Sequence, residues 1–455
     1  MTLKSNFKKI ASIILVIACL VSFVACGSNS ATNTSDSSTV AGTTSAGSSN
    51  TTISGEKTVI SMWGWETYEQ QKEEFDKFSE LNPNLKVEMT IIKQSDMPVR
   101  VQTALASGTQ MPDIAWLEMS VRGKLLSLDC WDDLTKTPYN IDTSLLVPSM
   151  LPLATNEKGE FVGLDDGPSM AGIAFKRDLA KQYLGSDDPV EVQKMFPTWD
   201  AFIQKGKEVK EKSGGKIFML PSLGDILVMA RGQNNIPYAV GDTLNLKESL
   251  GPAFQLCIDM KTAGIVDTIA MDSPAYNASI AEKNHMFLPA PYWGPRWIID
   301  LNDPDNKNMW GLMVPPGGGY PYGGTSWSIP KTALHKEEAI KLLKWLYLTE
   351  EGGAIRRDSY GYTIPLKSLY EADSKFYTGS NPHFAGQDTL NYFTSVIAKS
   401  VAPSRQVYKY DSEIDNSTSL AITALAASKK AMTADELVKI VEDDVIQKVP
   451  TLKVK

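Results

Sequence analysis

Between Val59 and Leu117 the hydrophobic period changes repeatedly, and this alternation restricts the fold more than any other feature of the chain. Val59–Trp65 is an apolar run of strand length. Tyr68–Leu81 repeats its apolar residues at helical spacing, with Phe75 and Phe78 on one face. Lys86–Ile92 alternates, Pro98–Ala106 reads as a short helix, and Asp113–Leu117 as a buried strand. Strands separated by helices predict a parallel sheet with helices on both faces. Ligands of such sheets sit beyond the carboxyl ends of the strands, which singles out Trp65, Glu66, Trp116, Leu117 and Glu118. Alternation within Val59–Trp65 predicts that Trp63 and Trp65 share one face.

The middle of the chain is richer in helix. Helical signals cover Trp199–Lys212, Leu246–Ala263 and, after a short strand, Trp293–Leu301. Lys336–Thr349 brings Ala339, Leu342, Leu343 and Leu346 onto one face, and further helices are predicted near Ser417–Lys430 and Ala434–Lys448. No period of 20–50 residues recurs, which excludes a repeat protein. With 455 residues, 42% of them hydrophobic, the chain can build two domains with cores of their own. Its formal net charge of −8 repels a phosphate backbone, so nucleic acid is not an expected partner.

The first residues read as a signal peptide, residues 1–25. Lys4, Lys8 and Lys9 precede a largely apolar run from Ile10 to Leu20, too short to span a bilayer, which needs about 20 apolar residues. Val24-Ala25-Cys26-Gly27 resembles a bacterial lipobox, which implies cleavage before Cys26 and lipidation of its thiol. Val16-Ile17-Ala18-Cys19 is a second match, but cutting there would leave Leu20–Val24 attached. Residues 26–56 are then the lipidated cysteine and a Ser/Thr/Gly-rich tether with a typical reach of roughly 30 Å. Cys130 and Cys257 remain in the body of the chain. Too few cysteines are left for a disulfide-stapled domain, and Cys257 reads as a buried thiol in a helical apolar pattern, with a bridge to Cys130 left open.

Several segments resemble, in order, the sugar-class extracellular solute-binding proteins of bacterial ABC importers, the maltodextrin-binding-protein-like group. Thr103–Ile114 is similar to that family's alanine-rich helix, Gly, Pro-Asp and apolar strand. Gly123-Lys124-Leu125-Leu126-Ser127-Leu128-Asp129 follows at the family spacing. Gly159–Leu164 and Ala174–Asp178 resemble its crossing strand and following turn, Pro197–Phe202 its helix start, and Gly323–Ile329 a late first-lobe strand. Ala281–Met286 departs from the usual Phe-x-x-Gly-Lys-x-Ala-Met. The resemblance implies a two-lobe, periplasmic-binding-protein-like α/β fold, each lobe a sheet flanked by helices. It implies three interlobe crossings, near Asp165–Pro168, Val314–Pro316 and Leu348–Gly352. Lobe one is then 57–165 plus 317–349, and lobe two is 168–313 plus 350–455. The implied protein is a monomer without cofactor or metal, held on the extracellular face of the cytoplasmic membrane through Cys26, that binds an oligosaccharide and delivers it to the permease of an ABC transporter.

A pyranose has apolar C–H faces and a rim of hydroxyls, so its receptor combines aromatic platforms with planar hydrogen-bonding groups. The ten tryptophans are unevenly placed. Candidate platforms are Trp65, Trp116, Trp293, Tyr322 and Trp327. Trp63 and Trp297 are divided between platform and core, and Trp131, Trp199, Trp310 and Trp345 read as core. Candidate polar contacts are Glu66, Glu118, Asp165, Asp166 and Arg296, since a carboxylate accepts two hydroxyls and a guanidinium donates to hydroxyl or ring oxygens.

No catalytic signature stands beside these. The chain has neither a G-x-x-x-x-G-K-[ST] phosphate loop nor a G-x-S-x-G elbow, and His285, His335 and His383 are scattered. Asp165-Asp166 could be imagined as glycosidase carboxylates, but sequence neighbours seldom flank one bond as that chemistry requires. The alternatives are a binding protein of the same fold for a peptide or polyamine, a tethered glycosidase, and a purely structural surface protein.

Overall fold

A computed structural model describes residues 57–371 and 373–455. The expected signal peptide, Cys26 and the tether lie outside the described residues. In chain order the strands are β1 (Thr58–Gly64), β2 (Leu85–Ile91), β3 (Ile114–Glu118), β4 (Gly163–Asp165), β5 (Met170–Lys176), β6 (Ala239–Val240), β7 (Thr243–Leu244), β8 (Phe287–Pro291), β9 (Trp310–Met313), β10 (Tyr320–Pro321) and β11 (Thr325–Ser328). The first sheet has the order β2-β1-β3-β11-β4. β1 runs parallel to β2 and β3, an arrangement that the helical crossovers between them allow. β11 arrives from far down the chain and pairs antiparallel with both β3 and β4, making the sheet mixed. In the second sheet β5 pairs antiparallel with β8, β9 and β10, and β6 and β7 form a separate hairpin.

The period-2 pattern sorts the first sheet's side chains between two cores. Ile60, Met62, Ile114 and Trp116 pack on one face with Phe75, Phe78, Trp327 and the Lys336–Leu348 helix. Trp63, Ala115 and Leu117 pack on the other with Met97, Val101 and Trp131. Trp65 does not share a face with Trp63, contrary to the alternation argument. β1 ends at Gly64, the pleat stops there, and Trp65 turns onto the Trp116 side. A Cβ at Gly64 would lie 2.8 Å from the Trp116 ring, so only glycine allows this close approach.

The second lobe's core gathers the helices Trp199–Lys212, Leu223–Gly232, Leu246–Ala263 and Ala434–Lys448 against β5 and β8. Local capping sets where these helices begin: Thr198 Oγ1 accepts from Ala201 N at 3.2 Å, and Thr433 with Glu436 forms a capping box. Cys257 is buried in this core and Cys130 in the first lobe, both as free thiols.

Strand membership changes between Asp165 and Met170, where β4 gives way to β5, and between Pro321 and Thr325, where β10 gives way to β11. The second change falls beyond Val314–Pro316, because Tyr320 and Pro321 still pair with β5. After Leu348 the chain serves both lobes. Ile364, Leu369 and Tyr377 enter the first core, while Tyr360, Tyr362 and Phe393 pack beside the second sheet.

Candidate functional site

Three strands of the first sheet and one of the second end around a single cavity of about 350 Å³. Trp65 and Glu66 follow β1, Glu118 closes β3, Asp166 follows β4, and Tyr292 and Trp293 follow β8. Carboxyl ends of strands are where an open α/β sheet presents its loops to a ligand. The passage from β10 to β11 completes the wall with Gly323, Gly324 and Thr325. Gly323 has φ +71°, and a Cβ there would lie 3.2 Å from Trp293 Nε1, so the backbone passes close under the indole.

Each lobe supplies a partly exposed indole. Trp65 meets Trp116 edge-on, with ring centroids 5.1 Å apart and planes at 80°. Trp293 lies 5.8 Å from the Tyr322 ring. A half-buried indole of this kind is held on one side by protein and offers its other surface to a partner.

The carboxylates between them are oriented by local hydrogen bonds. Glu66 accepts from Gln71 Nε2. Glu118 caps the Met119–Leu126 helix, accepting from Ser120 N at 2.8 Å and from Ser120 Oγ. Asp166 Oδ1 accepts from Thr325 N at 3.1 Å, and Asp166 N donates to Thr325 O at 2.9 Å, which ties the first passage between the sheets to the second. Burial raises all three carboxyls above their ordinary values. Each keeps acceptor capacity for a ligand hydroxyl. Among the described residues, no group of three or more His, Cys, Asp or Glu side chains is arranged to hold a metal ion.

Residues 73–386 match the family model of the bacterial extracellular solute-binding proteins. The chain belongs to that family. A lactose-binding protein of Rhizobium radiobacter is 22% identical over 402 residues, covering 84% of this chain and 91% of that protein. A solved structure of an extracellular solute-binding protein of family 1 superposes with a TM-score of 0.75 at 22% identity, covering 86% of this chain and 99% of its own. The galacto-N-biose/lacto-N-biose I-binding protein of Bifidobacterium longum, solved with lacto-N-biose, gives 0.68 at 17% identity over 88% of this chain and all of its own. The fold is the two-lobe one expected. As a member of a solute-binding family the chain is a binding protein and not an enzyme.

Of the candidate contacts of this solute-binding protein, Trp65, Glu66, Glu118, Asp166 and Trp293 line the cavity together. Trp116 and Trp327 do not: they are 3% and 1% exposed, packed into the first-lobe core behind Trp65. Asp165 is also interior, at 3% exposure. The Arg122 guanidinium lies 2.8 Å from its carboxylate, and burial still pushes that carboxyl up to about 6. Arg122 in turn donates to Leu117 O and Gly324 O, so the pair braces the strand ends from beneath. Arg296 points away into a neighbouring cavity, with Nη1 donating to Ser359 O and its guanidinium between the rings of Trp297 and Tyr360. Tyr322 lines a third cavity, which shares Glu118 and Gly323 with the first.

Gln70, Gln94, Tyr292, Trp297 and Tyr362 also line the site. Tyr292 adjoins Trp293 in sequence, and Trp297, divided between platform and core by the sequence, lies four residues further on. Tyr362 follows the Gly361 cap of the Glu350–Tyr360 helix and carries no periodic signature. Arg356, on that helix, is buried under the cleft. It pairs with Glu74 at 2.9 Å and lies 5.1 Å from the rings of both Tyr347 and Tyr362.

Proposed function

We propose that this protein captures an oligosaccharide in the cleft between its lobes and delivers it to the permease of an ABC importer. The observation that carries this reading is the pairing of Trp65 with Trp293, one indole from each lobe, around a cavity bordered by Glu66, Glu118 and Asp166. Indoles suit the apolar faces of pyranose rings, and carboxylates accept from their hydroxyls. The named ligands of relatives, lactose and lacto-N-biose, support it. The first lobe is built on 57–165 with the β11 strand and the Lys336–Leu348 helix, the second on 168–321, and the chain after Leu348 contributes to both. The protein acts as a monomer tethered to the outer face of the cytoplasmic membrane through a lipidated Cys26. Platforms on both lobes gain their full contacts only when ligand joins them, so binding draws the lobes together.

Titration calorimetry of residues 57–455 against a panel of di- to hexasaccharides, a peptide mixture and polyamines tests the reading. Saturable heat with a saccharide, and none with peptides or polyamines, is the expected result. Binding confined to a polyamine or a peptide would replace the sugar reading with the corresponding alternative.

A further inference from the structure

Among the described residues, three carboxylates face the cavity and no lysine, arginine or histidine does. The nearby arginines lie behind this wall or in adjoining cavities. Arg356 is buried against Glu74 at 2.9 Å, Arg122 is buried against Asp165 at 2.8 Å, and Arg296 is held by the Ser359 carbonyl in the adjoining cavity. The cavity that continues past Glu118 contains Arg231 and Arg405, but these pair with Asp415 at 2.6 Å and Asp411 at 2.8 Å. A ligand in the cleft therefore meets three carboxyl groups and no cation on the cavity wall.

We propose that the cleft selects its sugar by charge, accepting neutral or amine-bearing glycans and turning away those that carry carboxylate, sulfate or phosphate, with Glu66, Glu118 and Asp166 as the selecting residues. This rests on the sugar reading above. A hydroxyl donates to a carboxylate, and an ammonium group does so with charge assistance. An anionic substituent would lose water without gaining a partner cation and would stand beside like charges. Such discrimination needs no clash of shape, so it acts on rings of similar size.

The test is retention on immobilised protein of a mixed library of neutral, amine-bearing and uronate-bearing oligosaccharides of two to six rings, read by mass spectrometry. Uronates should be depleted at least about tenfold relative to neutral glycans, which corresponds to ~1.4 kcal/mol. Glu66→Gln, Glu118→Gln and Asp166→Asn keep the acceptors for Gln71, Ser120 and Thr325 while removing charge. The triple variant, or Asp166→Asn alone if the triple does not fold, should move the uronate-to-neutral ratio towards one. Uronates retained as well as neutral glycans by the wild type, or a ratio unmoved in a folded variant, would overturn the charge proposal and leave the sugar reading intact. Retention of no glycan of any class would overturn both.

Discussion

Trp116 and Trp327 stand directly opposite one another on the antiparallel pair β3–β11 and stack with ring centroids 4.7 Å apart. Trp65 meets Trp116 edge-on from the cleft side, and Tyr347 meets Trp327 at 85° from the core side. The cleft indole of the first lobe is thus the outer member of an aromatic series whose inner members are core. Its position is set by packing in the lobe, which preorganises it for a partner at little conformational cost.

Trp116→Ala is expected to empty part of that core. Removing a buried aromatic of this size costs about 3–5 kcal/mol. Urea unfolding of the ligand-free protein should show the loss as a lowered midpoint. Trp65 loses its support in the same variant, so ligand affinity should fall as well. An unchanged midpoint would show that the stack contributes nothing to stability.

Asp225 predicts a pH dependence remote from the cleft. It is fully buried in the second lobe, accepts from Tyr276 Oη at 2.6 Å and from Ser222 N at 3.1 Å, and burial pushes its carboxyl from 3.8 up to about 7. Between about pH 4 and pH 7 the folded state therefore holds a proton that the unfolded chain has released. The contribution is fully present below the unfolded value near 4 and is lost as pH rises through about 7. Glu74, raised to about 7, and Asp165, raised to about 6, act in the same direction. The melting temperature should fall from pH 5 to pH 8, and Asp225→Asn should make that fall shallower. An identical slope in the variant would remove Asp225 from this account.

The strand-end residues were legible in the sequence because position along a strand is a local property. Trp65, Glu66 and Glu118 follow from β1 and β3 alone, and Trp293 from the apolar run and Gly294-Pro295 turn around it. Whether an aromatic faces the cleft or the core is decided by the sheet partner, and partners are remote in sequence. Trp327 is interior because it lies opposite Trp116, and Asp165 is interior because Arg122 folds back beneath the strand ends. The Glu74–Arg356 pair joins positions 282 residues apart, which no local pattern reveals. The face of Trp65 was misjudged for a local reason: the pleat stops one residue earlier, at Gly64.

Under the proposed anchoring through a lipidated Cys26, Cys26→Ala is expected to release the protein from cells into the medium. Fractionation of cells expressing the variant reads this directly. Full membrane retention of the variant would move the anchor to Cys19 or to the uncleaved apolar run.

Trp293→Ala separates platform from core most sharply. The indole is partly exposed at the end of β8, with Tyr322 on one side and Gly323 close beneath. It packs against the margin of the smaller second-lobe cluster, whereas Trp310 is buried within that cluster. A sugar face laid on the indole removes apolar area from water, worth about 25 cal/mol per Å². Truncating a central aromatic anchor typically costs about 2 kcal/mol or more, roughly 30-fold in affinity. Trp293→Ala should therefore weaken saccharide binding by at least that factor and leave the melting temperature of the ligand-free protein nearly unchanged. Trp310→Ala, as the core control, should lower the melting temperature sharply. If Trp293→Ala instead behaves like the control, with stability lost and affinity kept in the folded fraction, the second-lobe platform lies elsewhere, and Tyr292 and Trp297 on the same cavity wall become the residues to test.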